Sequence, residues 1–156
     1  MHYRTALTAS VLVLTAACSS GDSVTGPDLT LPSGSMSARI DGTAWQATAA
    51  LSVAYAGGVL AFAGSDASQT TVGVGLIPTG PGTCAIGPNQ PTNANVTTGA
   101  IGSWGATSGQ GSGSITLTSF TQNSAKGTFE FTAPAVPNTG ATGTKVVTLG
   151  TFDVKF

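Results

Sequence analysis

Met36-Ser37-Ala38-Arg39-Ile40-Asp41-Gly42-Thr43-Ala44-Trp45 is the stretch that decides the fold class. Met36, Ala38 and Ile40 fall on one side of an extended chain, and Ser37, Arg39 and Asp41 on the other, which is the period of a half-buried strand. Asp41-Gly42 is a preferred pair for a two-residue type I′ turn, because both residues tolerate positive φ. That turn pairs Ile40 with Thr43 and Ala38 with Trp45, so the indole packs across from a methyl group. From Trp45 the alternation runs on to Tyr55, with Trp45, Ala47, Ala49, Leu51, Val53 and Tyr55 directed inward.

A Gly57-Gly58 turn repeats the logic, setting Tyr55 opposite Leu60 and Val53 opposite Phe62 on the same apolar face. Thr70 to Ile77 alternates Val72, Val74 and Leu76 against Gly73 and Gly75 and stops at Pro78. Thr79 to Gly82 is a turn, and Cys84 with Ile86 marks a short strand ended by Gly87-Pro88. Asn89 to Asn95 reads as a polar loop, Ile101 to Ala106 with Trp104 as a weaker strand, and Gly105 to Gly113 as a Gly/Ser loop. Ser114 to Phe120 turns inward Ile115 and Leu117, and Gln122-Asn123 turns the chain into Thr128 to Ala133, with Phe129 and Phe131 inward. In Lys145 to Phe156, Gly150 marks a bulge between Val147/Leu149 and Phe152/Val154/Phe156. Eight or nine short strands with regular turn signals predict an all-β fold, a single antiparallel β-sandwich, with a small closed β-barrel as the alternative.

Composition agrees with strands. Only 7% of residues are charged and 40% are hydrophobic, and long surface helices need charged faces. The net charge of -1 supplies no basic stripe, so nucleic acid is excluded as a partner. One domain's length of chain is present.

The N-terminus reads as an export address. His2 and Arg4 precede an apolar run from Ala6 to Ala17 that is shorter than the ~20 residues a membrane-crossing helix needs. The run ends Leu14-Thr15-Ala16-Ala17-Cys18, which resembles the bacterial lipobox, with Thr15 where that pattern usually has Leu. The resemblance implies cleavage before Cys18 and acylation of its thiol, a membrane partner gained through lipid; the alternative is an ordinary cleaved signal with Ala17 at the cut. Residues 1–17 are then the signal peptide, 18–35 a Gly/Pro-punctuated, lipid-anchored flexible tether, and 36–156 the all-β domain. Ser19 after the cysteine resembles lipoproteins sent to the outer membrane, which predicts a cell-envelope location there. Cys84 is left as the domain's one thiol, and it is expected to act as a small hydrophobe.

Ala38-Arg39-Ile40-Asp41-Gly42-Thr43-Ala44-Trp45, Gly127-Thr128-Phe129-Glu130-Phe131 and Gly150-Thr151-Phe152-Asp153-Val154 together resemble an uncharacterised family of bacterial lipoproteins. Its members are similar in an A-x-I-D-G-x-x-W opening and in G-T-F-x-F and G-T-F-x-V strands. The resemblance implies a lipid-anchored β domain and brings no reaction with it.

The one histidine, His2, lies in the segment that export removes, so Ser/His/Asp and Cys/His catalysis and ordinary zinc sites are not expected. Asp41, Asp66, Glu130 and Asp153 remain for acid/base work, with Asp22 and Asp28 in the tether. Asp41 is explained by its turn, Asp66 by a loop, and Glu130 and Asp153 by the solvent faces of strands. No clustered-acid calcium loop occurs, and the Gly109 to Gly113 stretch lacks the lysine and helix of a phosphate loop. No enzyme, cofactor or metal is therefore expected, and no catalytic residue is assigned. Alternation assigns Trp45 and Tyr55 to the core; Trp104, among glycines, is the aromatic left as a possible ligand contact.

These observations predict a non-enzymatic, lipid-anchored binding or structural module whose protein or glycan partner is unknown. A carbohydrate-binding module is the first alternative, and it requires Trp104 exposed beside polar loops. A two-carboxylate hydrolase requires Asp66 or Asp153 near another acid in a cleft. The terminal Phe152-Asp153-Val154-Lys155-Phe156 also resembles the last strand of an outer-membrane barrel, although such barrels need strands of ~9 to 11 residues.

Overall fold

The computed structural model describes residues 34–99 and 102–156, so the signal peptide, Cys18 and nearly all of the tether lie outside the described residues. Eleven strands follow in order: β1 (Gly34–Ile40), β2 (Thr43–Gln46), β3 (Ala50–Ala56), β4 (Val59–Ser65), β5 (Thr70–Leu76), β6 (Gly82–Ile86), β7 (Asn93–Thr98), β8 (Gly102–Ala106), β9 (Ser112–Phe120), β10 (Ser124–Pro134) and β11 (Thr144–Lys155). They form two antiparallel sheets, ordered β2-β1-β11-β10-β9-β6 and β3-β4-β5-β7-β8. Each sheet keeps two edges, so the fold is a sandwich; the closed-barrel alternative, small or membrane-spanning, does not hold.

The opening hairpin forms as its turn chemistry requires. Asp41 and Gly42 take φ of 50° and 81°, and Ile40 pairs with Thr43 and Ala38 with Trp45. Gly57 and Gly58 take φ of 60° and 81°, which sets Tyr55 against Leu60 and Val53 against Phe62. Inward residues of both sheets then share one core, in which Met36, Leu60, Val72, Val96, Ile115, Leu117 and Val154 are fully buried. Burial of each such side chain stabilises the fold by about 1.5–3 kcal/mol, before the entropy of ordering is subtracted.

Several expectations need correction. Trp45 to Tyr55 is two strands: after Gln46 the chain leaves one sheet, and the Ala47 N–H donates to Met36 O while the Ala49 N–H donates to Ser65 O in the other. Ala49, expected inward, is exposed where the chain crosses, while Leu51 and Val53 return to the core side of β3; the strands on either side stay in phase, so periodicity alone hides the crossing. Tyr55 is not a core residue; it is 39% exposed, because β3 is an edge strand and Tyr55 sits near its end.

The polar stretch ending at Asn95 contains the start of a strand in the interior of its sheet. β7 pairs with β5 and β8, burying Ala94 and Val96 and turning Asn93 and Asn95 outward over Gly75 and Gly73. With this strand, the described residues hold more strands than the eight or nine expected. Leu149, grouped with the inward residues, is the inserted residue of the β11 bulge: its φ is 51° and it is 73% exposed. The bulge itself is where Gly150 predicts it, since the register shifts there against both β1 and β10.

The two G-T-F sequences prove to be partners. Gly127, Thr128 and Phe129 of β10 lie opposite Phe152, Thr151 and Gly150 of β11, so each phenylalanine faces the other motif's glycine. A Cβ on Gly150 would come within 2.5 Å of the Phe129 ring, and one on Gly127 within 2.8 Å of Phe152. Glycine is thus the space each ring occupies, and both rings belong to the buried core.

Candidate functional site

Asp41, Asp66 and Lys145 converge at one end of the sandwich, where the β1–β2 turn, the 66–69 loop and the start of β11 meet. A groove of about 250 Å³ lies there, and Asp41, Asp66, Lys145, Thr43, Thr70 and Trp45 help to line it. Sequence reading sent Asp41 and Asp66 to separate turns; the fold brings both to the same groove. The arrangement is the one a two-carboxylate hydrolase would begin from, so the state of each acid matters.

Asp41 reaches across to β11. The Lys145 ammonium donates to its Oδ2 at 2.7 Å and the Val146 N–H to its Oδ1 at 2.9 Å. Its own N–H donates to Val146 O at 2.8 Å, so the turn is stitched to β11 three times. Partial burial pushes the Asp41 carboxyl up, but the Lys145 and Val146 hydrogen bonds and the lysine charge outweigh it and hold the group below the ordinary aspartate range. A general acid needs the opposite shift.

Asp66 is the keystone of its own loop. Oδ1 accepts the N–H groups of Ser68 and Thr70, both at 2.9 Å, while Gln69 sits at φ 61°. That is the local hydrogen bonding an Asx turn uses to reverse the chain. Trp45 forms the inner wall of the groove and is 6% exposed; its indole N–H donates to Thr70 O at 3.1 Å, joining the two sheets.

Trp104 belongs to the same end but not to the surface. It is 7% exposed, its indole N–H donates to Thr142 O at 3.1 Å, and Lys145 Nζ stands 5.1 Å from its ring centroid. The segment between β10 and β11 covers it, held by the Val136 N–H on Ser103 O and the Ala135 N–H on Gly143 O. The exposed aromatic that a carbohydrate platform requires at this position is therefore occupied with packing. Lys145 joins the Asp41 carboxylate and the Trp104 π face, a role that sequence reading did not give it.

The other two acids stand apart from the groove. Asp153 pairs with Lys126 at 2.8 Å on the solvent side of the β10–β11 ladder, and Glu130 is exposed on β10 opposite Ser114. Cys84, a free thiol on edge strand β6, is partly buried against the core. Among the described residues no group of three or more His, Cys, Asp or Glu side chains is placed to hold a metal ion.

A second surface is built from the smallest side chains. On the outer face of the five-stranded sheet, Ala54, Ala61 and Ala63 lie beside Gly73 and Gly75, with the Asn93 and Asn95 carboxamides along one side of a depression of about 430 Å³. The signal for the asparagines was available in Asn93-Ala94-Asn95-Val96, whose alternation is that of a strand; the polar residues simply mark its outer face.

Residues 33–153 match the model of one protein family, whose description is "Domain of unknown function (DUF6252)". Neither a curated protein nor a solved structure matches the chain.

Proposed function

The chain belongs to the family described as a domain of unknown function (DUF6252), and from that footing we propose that it is a lipid-anchored cell-envelope protein whose β-sandwich serves as a non-enzymatic binding or structural module. The observation that carries the reading is the state of the groove: its carboxylates are spent on backbone N–H groups and on Lys145. Groups so engaged fix loops and present a rigid surface, and the Asp41 carboxyl, held low by Lys145 and Val146, is a poor proton donor. The anchor rests on Leu14-Thr15-Ala16-Ala17-Cys18. Each methylene of an acyl chain on that thiol contributes about 0.8 kcal/mol of membrane affinity, and two or three chains hold the protein at the bilayer stably.

Intact mass of the protein made from its full gene in a bacterium, alongside a Cys18→Ala variant, tests the proposal. The expected result is a chain starting at residue 18 that carries acyl mass and sediments with membranes, and a variant that does neither. Recovery of the unvaried protein in the soluble fraction, with residues 1–17 attached and no added mass, overturns it.

A further inference from the structure

The two ends of the sandwich differ in chemistry. Asp41, Asp66 and Lys145 gather at one end. At the other, Tyr55 packs edge-on against Phe120 at 5.5 Å and against Phe156 at 5.2 Å. Val59, paired with Ala56, closes the β3–β4 hairpin one step beyond the Tyr55–Leu60–Leu76 row and on the outer side of the sheet, and Ile77 follows Leu76 at the same end. Tyr55, Val59 and Ile77 are 39%, 43% and 50% exposed, and they are three of the five large apolar side chains exposed among the described residues. Lys155 is exposed beside Phe156, and the Lys126–Asp153 ion pair, its charges balanced, lies two residues farther in.

The chain also enters the fold at this end. Gly34, the first described residue, pairs with Val154, two residues before Phe156. Cys18 lies sixteen residues upstream, a span of at most about 55 Å if fully extended. The chain therefore leaves the membrane into the apolar end, and the least extended tether brings that end to the bilayer first. Confinement of this kind lets a few exposed side chains partition that would be too weak to bind from free solution.

We propose that the Tyr55–Val59–Ile77 end is a membrane-contacting surface that seats the domain upright on the lipid surface to which Cys18 is anchored, with the Asp41–Asp66 groove turned away from it. The inference rests on the anchoring reading above. Phe120 and Phe156 support Tyr55 from behind, so it meets the headgroup region as an amphipathic ring, and Lys155 favours an anionic leaflet.

The native tryptophans supply an internal control, because Trp45 and Trp104 both lie at the charged end. Full-length protein purified from membranes, as found and as Tyr55→Trp, is reconstituted into phosphatidylcholine/phosphatidylglycerol vesicles whose acyl chains carry bromine. The added emission of Tyr55→Trp should be quenched by at least half, with the native emission changed by less than one tenth. Val59→Ser/Ile77→Ser on the Tyr55→Trp background, two surface changes that leave the core intact, should cut that quenching at least twofold. Lipid mass on Cys18 together with no quenching at position 55 overturns the orientation and leaves the anchor standing. Self-association in detergent that the double serine variant abolishes, again with no quenching, assigns the end to a second copy and also overturns it. If Cys18 carries no lipid the anchor fails; the same quenching is then read on Cys84→Ala protein coupled through Cys18 to a maleimide-bearing lipid, and its presence or absence there decides the orientation.

Discussion

Phe152 lies directly across the β10–β11 ladder from Gly127, its ring in the space that a side chain on that glycine would fill. β10 and β11 are thus packed without spare room at this pair, and the reciprocal pair Phe129 and Gly150 repeats the fit. Gly127→Ala would also drive its methyl into the Thr116 carbonyl of β9, and that backbone cannot yield cheaply. The variant should lose about 1–3 kcal/mol or fail to fold. Urea unfolding reads the loss, and Thr128→Ala, one position along on the outward face, should cost less than half as much.

Asp41 should make the protein more stable at neutral pH than in acid. A carboxyl held below its ordinary value in the folded state binds fewer protons than the unfolded chain does, so its contribution is fully present above the unfolded pKa. It disappears as pH falls through the lowered folded value. Asp41→Asn keeps a residue that accepts positive φ in the turn and one oxygen to accept from Val146, and it removes the charge and the acceptor that meet Lys145, so it should flatten that acid limb. The Asp41 side chain is 41% exposed, which keeps the effect at about 1 kcal/mol or less. Urea midpoints of both proteins at pH 7 and pH 3 check it, and a difference that grows toward pH 3 contradicts it.

Leu149 should be a place where losing an apolar side chain improves the protein. It holds φ at 51° in the β11 bulge with 73% of its surface in water, so it bears left-handed strain without gaining burial. Leu149→Gly or Leu149→Asn should raise stability by about 0.5–1 kcal/mol, with asparagine at the lower end. Differential scanning calorimetry should show a rise in Tm; a fall would mean that the leucine packs against something in solution.

These contrasts explain how far the chain could be read before its structure. Asp41-Gly42 and Gly57-Gly58 settle their hairpins locally, since turn geometry fixes which residues face each other, and both registers appear as written. The crossing at Ala47 to Ala49 is hidden because the strands on either side of it keep the same phase, and a single exposed alanine, Ala49, is all that interrupts the pattern. β7 hides behind asparagines whose polarity suits an outer face over glycine, and Leu149 breaks the alternation only because the bulge inserts a residue. The pairing of the two G-T-F motifs and the meeting of Asp41 with Asp66 are products of topology, which no local pattern encodes. Trp104 has no local pattern to place it for a related reason: its cover comes from residues more than thirty positions later.

That cover makes Trp104 the last test of what this end of the domain does. A tryptophan that is 7% exposed, with its N–H on Thr142 O and Lys145 above its ring, should emit in the blue and resist acrylamide. Trp104→Ala should cost about 3–5 kcal/mol, as loss of a buried indole does, while Trp104→Phe keeps most of the apolar area and forfeits the hydrogen bond. A glycan panel should leave the emission of the unvaried protein unchanged. Strong acrylamide quenching removed by Trp104→Phe, together with a glycan that restores protection, would show the 135–143 segment lifting in solution and would return this ring to the list of binding surfaces.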